Sequence, residues 1–299
     1  MRTSLFLFLV ACQSSPKGDT TDAQGSDAEE TGEVIDHAEY FDPDPPTVLG
    51  PEDRPAAVVL PDNYDVSQHY PLVVMLHGYG ANSALQDVVF GLKARARSMG
   101  FVLITPDGTV DSRGSQFWNA TAECCNFYGS DVDDVAYLSG LIEEAHTLYP
   151  LSHTAVMGHS NGGFMSYRMA CERPDIVDRI APLAGTLSTD PAECPRAEPM
   201  PVLHMHGTAD DTIAYDAARG HNGARESIAY FADLGGCAAP EVVEQRDHLG
   251  SVDGAETTVE RWSCPSGDLE LWTGEGGDHI YISVNDTYRD DLAQWLVAP

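Results

Sequence analysis

Short apolar runs alternate with longer stretches of helical spacing along most of this chain. Residues 56–61 and 71–76 read as early strands, and the second, Pro71-Leu72-Val73-Val74-Met75-Leu76, is apolar enough to be covered on both faces of a sheet. The spacing then predicts a helix over 83–98, a strand over 101–106, and a long polar loop to Ser130 that carries Trp118, Asn119 and two adjacent cysteines. Asp131-Val132-Asp133-Asp134 opens a predicted helix reaching His146, where carboxylates suit the positive end of the helix dipole better than a metal. A strand over 154–157, a helix over 164–170 and strands over 179–185 and 201–207 follow. A helix over 225–234, strands over 257–263 and 269–273 and a closing helix over 287–296 complete the pattern. Strands alternating with helices argue for an α/β fold with a mainly parallel central sheet, helices on both faces and a site at the carboxyl edge of the strands.

The sharpest local signal lies between the strand at 154–157 and the helix that follows it. Gly158-His159-Ser160-Asn161-Gly162-Gly163 puts a serine on a strand-to-helix turn, with glycines where a Cβ would collide. Such a serine needs a base, a group that orients the base, and donors for an oxyanion. Three further segments at predicted strand ends supply them. His77-Gly78-Tyr79-Gly80 offers the backbone N–H of Tyr79, to act with that of Asn161 as the oxyanion hole. His206-Gly207-Thr208-Ala209-Asp210-Asp211 offers an acid for which two adjacent aspartates compete, resemblance to hydrolases with the acid three residues after the glycine implying Asp210, and Gly276-Gly277-Asp278-His279 offers the imidazole. The chain order Ser160, Asp210, His279 is that of the α/β-hydrolases. Neither a metal nor an organic cofactor is required. His153, His159, His204, His221 and His248 have no partners at metal-binding spacing and are assigned to core packing or solvent.

From about Ala56 to Trp295 the chain resembles the secreted α/β-hydrolase esterases of the polyhydroxybutyrate depolymerase and feruloyl esterase type, the Esterase-PHB group related to carbohydrate esterase family 1. The likeness is carried by the four segments above together with Pro106-Asp107-Gly108, Trp118-Asn119, Asp131-Val132-Asp133-Asp134-Val135 and Ile180-Ala181-Pro182-Leu183-Ala184-Gly185. It implies a serine carboxylic-ester hydrolase acting through an acyl-enzyme, with Trp118 and Asn119 at the acyl pocket. Two departures bear on substrate preference. Asp278 stands before His279, and Ile280-Tyr281 after it, where the family commonly has a glycine and a Trp-Pro; Ile213-Ala214-Tyr215 lacks the family's usual proline. Alternatives from the same residues are a serine peptidase of this fold, or a surface lipoprotein that binds without catalysing.

Composition adds a location and removes some partners. The 299 residues carry 47 acidic against 16 basic side chains, a net charge of −31, which opposes nucleic acid and anionic lipid as partners. A small or oligomeric ester and a monomeric protein are the expectation. Residues 1–12 read as an export signal: Arg2, a short apolar core, and Leu9-Val10-Ala11-Cys12, which resembles the lipobox of bacterial lipoproteins. That resemblance implies cleavage before Cys12, its lipidation and a place in the cell envelope, with Gln13 favouring the outer membrane; ordinary secretion is the alternative. Residues 13–46 are too polar to pack and read as an acidic tether to a catalytic domain at 47–299. Six cysteines remain besides Cys12, and an exported protein is expected to pair them. They allow 15 pairings. Cys171–Cys194 and Cys237–Cys264 each close a loop of moderate length, which leaves a vicinal Cys124–Cys125 bridge.

Overall fold

The computed structural model describes residues 41–218, 221–280 and 283–299. The expected signal with Cys12, the tether as far as residue 40, and Tyr281 lie outside the described residues. The last residues of that tether touch the domain: Pro45 is buried, and the Tyr149 hydroxyl donates to the Pro46 carbonyl.

Val48–Leu49 (β1) and Ala56–Val59 (β2) lead into Tyr70–Leu76 (β3), buried except at Pro71. The helix expected over 83–98 is two helices, Ser83–Phe90 (α1) and Leu92–Met99 (α2). Gly91 separates them at φ 60°, a left-handed conformation in which its N–H donates to the Asp87 carbonyl and ends α1. Val102–Thr105 (β4) is followed by a small hairpin, Thr109–Val110 (β5) with Gln116–Phe117 (β6), inside the segment expected to be loop.

Asp134–Leu148 (α3) is capped by Asp133, whose carboxylate accepts the Ala136 N–H at 2.9 Å. Asp134 does a different task. Wholly buried, it pairs with Arg54 at 2.7 Å and accepts the Asn119 N–H at 2.7 Å, fixing the long loop to the helix start.

Leu151–His159 (β7), Asn161–Glu172 (α4), Arg179–Leu183 (β8) and Leu203–Gly207 (β9) build the middle of the sheet. Ala224–Gly235 (α5), Glu241–Arg246 (β10), Thr257–Trp262 (β11), Leu269–Gly274 (β12) and Asp286–Val297 (α6) complete it. The strand order is β1-β2-β4-β3-β7-β8-β9-β12-β11-β10, and the six strands from β4 to β12 in that order run parallel. β10 was not foreseen because Glu-Val-Val-Glu-Gln-Arg has no buried face; it is an exposed antiparallel edge.

One apolar core lies between the sheet and α3, α4 and α5, and a second between the sheet and α1, α2 and α6. Cys171–Cys194, Cys237–Cys264 and the vicinal Cys124–Cys125 are all bridged, the last across a cis peptide. Because the central strands are parallel, the turns after β3, β7, β9 and β12 meet at one edge.

Candidate active site

Ser160 sits between β7 and α4 at φ 53° and ψ −117°, a conformation rare outside glycine and sustained by its surroundings. Its N–H donates to the Leu183 carbonyl at 2.8 Å. The turn is tight enough that a Cβ on Gly162 would lie 2.5 Å from the Leu76 carbonyl oxygen, so α4 can start there only without a side chain. Ser160 is thereby pressed to the mouth of the sheet, against the His77–Gly78 turn.

The acid and the imidazole are brought together by a second close approach. β9 and β12 pair in parallel up to Gly207 and Gly274, and the Ala209 N–H then donates to the Gly277 carbonyl at 2.9 Å. A Cβ on Gly207 would fall 2.1 Å from that carbonyl oxygen. Across this seam His279 Nδ1 lies 2.7 Å from Asp210 Oδ2, and His279 Nε2 lies 2.9 Å from Ser160 Oγ. An ionised carboxylate only accepts, so the proton of the neutral ring belongs on Nδ1, and the bare Nε2 faces the serine hydroxyl.

Burial opposes charge on Asp210. Hydrogen bonds from His206 and His279 nevertheless hold its carboxyl well below the usual carboxylate range. Its Oδ1 accepts the N–H groups of Thr212 and Ile213, each at 2.9 Å. Asp211 is exposed, as is Asp278, whose carboxylate accepts the Ile280 N–H of its own loop.

The neighbouring turns are fixed by buried side chains. His77 donates from Nδ1 to the Gly78 carbonyl at 2.8 Å and accepts the Gly108 N–H on Nε2 at 2.9 Å, tying the turn after β3 to that after β4. Burial pushes its basicity down, which keeps it neutral for that double role. Among the described residues nothing accepts the N–H of Tyr79 or of Asn161.

Trp118, expected at the acyl pocket, has no exposed surface and lines no part of the cavity at Ser160. Its indole N–H donates to the His77 carbonyl at 3.0 Å, because a buried indole needs an acceptor and that carbonyl supplies one. Its main chain clamps Asn161 instead: the Trp118 N–H donates to Asn161 Oδ1 at 2.7 Å, and Asn161 Nδ2 donates back to the Trp118 carbonyl at 2.9 Å. Asn119 also stays away from Ser160, spending its side-chain amide on the Val132 carbonyl at 2.9 Å.

A cavity of about 430 Å³ opens beside Ser160 and His279. Leu85, Val88 and Val89 of α1 and Ile280 form its apolar wall, and among the described residues no Asp, Glu, Lys or Arg lines it. Its residues come from an amphipathic helix and a loop, and periodicity alone does not show which face meets a site.

His159 was assigned to packing or solvent. It lies in this wall, and its Nε2 donates to the His279 carbonyl at 2.6 Å, anchoring the loop that carries the imidazole. Burial and the neighbouring His279 push its pKa down to about 4. His204, assigned likewise, belongs to a buried hydrogen-bonded chain that ends at Asp210.

A mainly parallel sheet with a serine on a strand-to-helix turn, a histidine and an aspartate at its carboxyl edge defines the α/β-hydrolase class. The chain belongs to the Esterase family: the family profile, described as "Putative esterase", matches residues 49–230. It is 31% identical to the protein named "Putative esterase NocK" of Nocardia uniformis subsp. tsuyamanensis over 79% of this chain and 70% of that one. It is 26% identical to feruloyl esterase D of Neurospora crassa over 82% of this chain and 78% of that one. Among solved structures, the acetyl xylan esterase from Aspergillus awamori superposes with a TM-score of 0.60 at 16% identity, covering 83% of this chain and 95% of that one. The protein is a carboxylic ester hydrolase of the feruloyl esterase-like group.

Proposed function

We propose that the protein is an exported serine esterase that cleaves esters of uncharged acyl groups through an acyl-enzyme. The observation that carries this reading is the unbroken line from Ser160 Oγ through His279 to Asp210, at 2.9 and 2.7 Å. Ser160 attacks the ester carbonyl while His279 Nε2 takes its proton, and the N–H groups of Tyr79 and Asn161 hold the oxyanion. His279 then returns the proton to the leaving alcohol. A water deprotonated by the same nitrogen attacks the acyl-enzyme, and Ser160 recovers its proton as the acid departs. Asp210 keeps the ring in the working tautomer throughout and stabilises its charged form.

The uncharged apolar wall beside Ser160 supports neutral acyl groups, because a carboxylate placed there would lose hydration without gaining a partner. The net charge of −31 also repels anionic substrates. Feruloyl, acetyl and hydroxybutyryl esters fit this description, and the relatives named for feruloyl and acetylxylan ester cleavage support it. A panel of feruloylated and acetylated sugars, hydroxybutyrate oligomers and succinyl esters tests it. Neutral acyl groups should be turned over at least about tenfold faster than succinyl; equal rates would contradict the assignment.

The three disulfides support export to an oxidising compartment. Cys12 is the proposed lipid attachment, and an unmodified mature N-terminus in a mass spectrum would remove the anchor.

A further inference from the structure

Three polar side chains of the core make hydrogen bonds that ester cleavage does not itself require. Tyr167 lies on α4, and His204 and His206 alternate along β9 so that both point to one face of the sheet. All three are fully or almost fully buried. Tyr167 Oη is 2.7 Å from His204 Nδ1, and His204 Nε2 is 3.2 Å from His206 Nδ1. His206 Nε2 then lies 2.8 Å from the Ile213 carbonyl and 3.2 Å from Asp210 Oδ2.

The protons can be placed from the far end. A carbonyl and an ionised carboxylate only accept, so His206 Nε2 carries hydrogen. With His206 neutral, its bare Nδ1 accepts from His204 Nε2–H, and His204 Nδ1 accepts the Tyr167 hydroxyl. Burial pushes the basicity of His204 well down and the Tyr167 hydroxyl well up, with the neighbouring His206 adding to the first effect, so both remain neutral. The donors therefore run in one direction along the chain, each bond polarising the next, and the last, His206 Nε2–H, lies between the Ile213 carbonyl and Asp210 Oδ2.

We propose that His206, backed by His204 and Tyr167, is a positioning residue for ester hydrolysis: it holds Asp210 Oδ2 in place and shares its negative charge. This rests on reading Ser160, His279 and Asp210 as the reacting triad. Removing the His206 donor leaves more charge on the oxygen that faces His279, whose own surroundings include His159. The imidazolium is then stabilised, and the acid limb of the kcat/KM profile moves to higher pH. The carboxylate is also less well held, so kcat falls; KM is unchanged because His206 does not line the cavity.

The test compares His206→Leu, which has no donor, with His206→Gln, whose amide nitrogen takes the place of Nε2. For the leucine variant we expect kcat about 10- to 100-fold lower, as for loss of a hydrogen bond to a charged group, with an upward shift of the acid limb. The glutamine variant should recover most of both. Wild-type kcat in the leucine variant, or equal losses in both without a shift of the limb, would overturn the proposal. A measurement on the unmodified protein guards against variants that do not fold. Nitrogen NMR of histidine-labelled protein should find His204 and His206 neutral with hydrogen on Nε2, and an Nδ1–H tautomer or an imidazolium at either overturns the chain. A wild type that cleaves no ester removes the triad reading and this proposal with it, and leaves the tautomers on record as a structural finding.

Discussion

Asp210 and Asp211 are adjacent, but only one of them meets an imidazole. Asp210 is buried against His279 and His206, and Asp211 is turned to solvent. Asp210→Asn would present an amide donor where an acceptor is needed and favour the wrong tautomer of His279. We expect kcat to fall by roughly 10⁴-fold, and Asp211→Asn to leave it within a factor of about two. No rescue should come from Asp278, which is exposed and engaged with the Ile280 N–H. A steady-state assay of both variants decides; a larger loss in the Asp211 variant would reassign the acid. These residues were legible because each lies on a glycine-bearing turn at the end of an apolar run. Trp118 was not. Its burial depends on the His77 carbonyl and on the Arg54 guanidinium 5.3 Å from its ring centre, neither of which is near it in sequence. His204 was equally hidden, since nothing local tells an apolar strand that one of its histidines will face Tyr167.

At the scale of elements, the central strands and the helix after Ser160 were readable from continuous apolar runs and helical spacing. The edges were not: β1 has two residues and β10 no buried face, so pairing with a neighbour alone defines them. The long loop over 108–130 has its own hairpin and hydrogen bonds, and it is fastened to the start of α3 through an ion pair whose carboxylate is buried. Arg54 joins Asp134 at 2.7 Å, donates from Nε to the Asp107 carbonyl at 3.0 Å and stacks 3.7 Å from the Tyr137 ring centre. Asp134 in turn holds Asn119, next to the Trp118 main chain that clamps Asn161. Arg54→Met strands a buried carboxylate and should cost about 3–5 kcal/mol in urea unfolding. A loss below about 1 kcal/mol would mean that the pair does not secure the loop.

For the whole molecule, the same burial that sets the site makes stability depend on pH. His77, His159, His204 and His248 are held neutral, with burial the leading cause in each. Between the value of about 6.5 for a histidine in the unfolded chain and their lowered folded values, the unfolded state binds more protons. Stability is therefore lost as pH falls through that window. Asp210 acts in the same direction for the same reason, since its unfolded carboxylate also takes up a proton first; its contribution fades only below about pH 4. Relief of repulsion within a chain of net charge −31 works against both, so the comparison is best made in about 0.5 M salt, with a screening length of only ~4 Å. Under those conditions Tm should be lower at pH 5.5 than at pH 7.5, and an equal or higher Tm would contradict the neutral assignment.

The proposed mechanism requires Ser160 to form a covalent bond. An alkyl fluorophosphonate loses fluoride to an activated serine and leaves a phosphonyl group that resists hydrolysis, which peptide mass spectrometry locates. The proposed triad predicts one equivalent on Ser160, appearing in step with the loss of ester hydrolysis, and an unlabelled Ser160→Ala variant slower by about 10³-fold or more. Stoichiometric labelling of Ser160 with undiminished turnover, or near-normal turnover by Ser160→Ala, would contradict it.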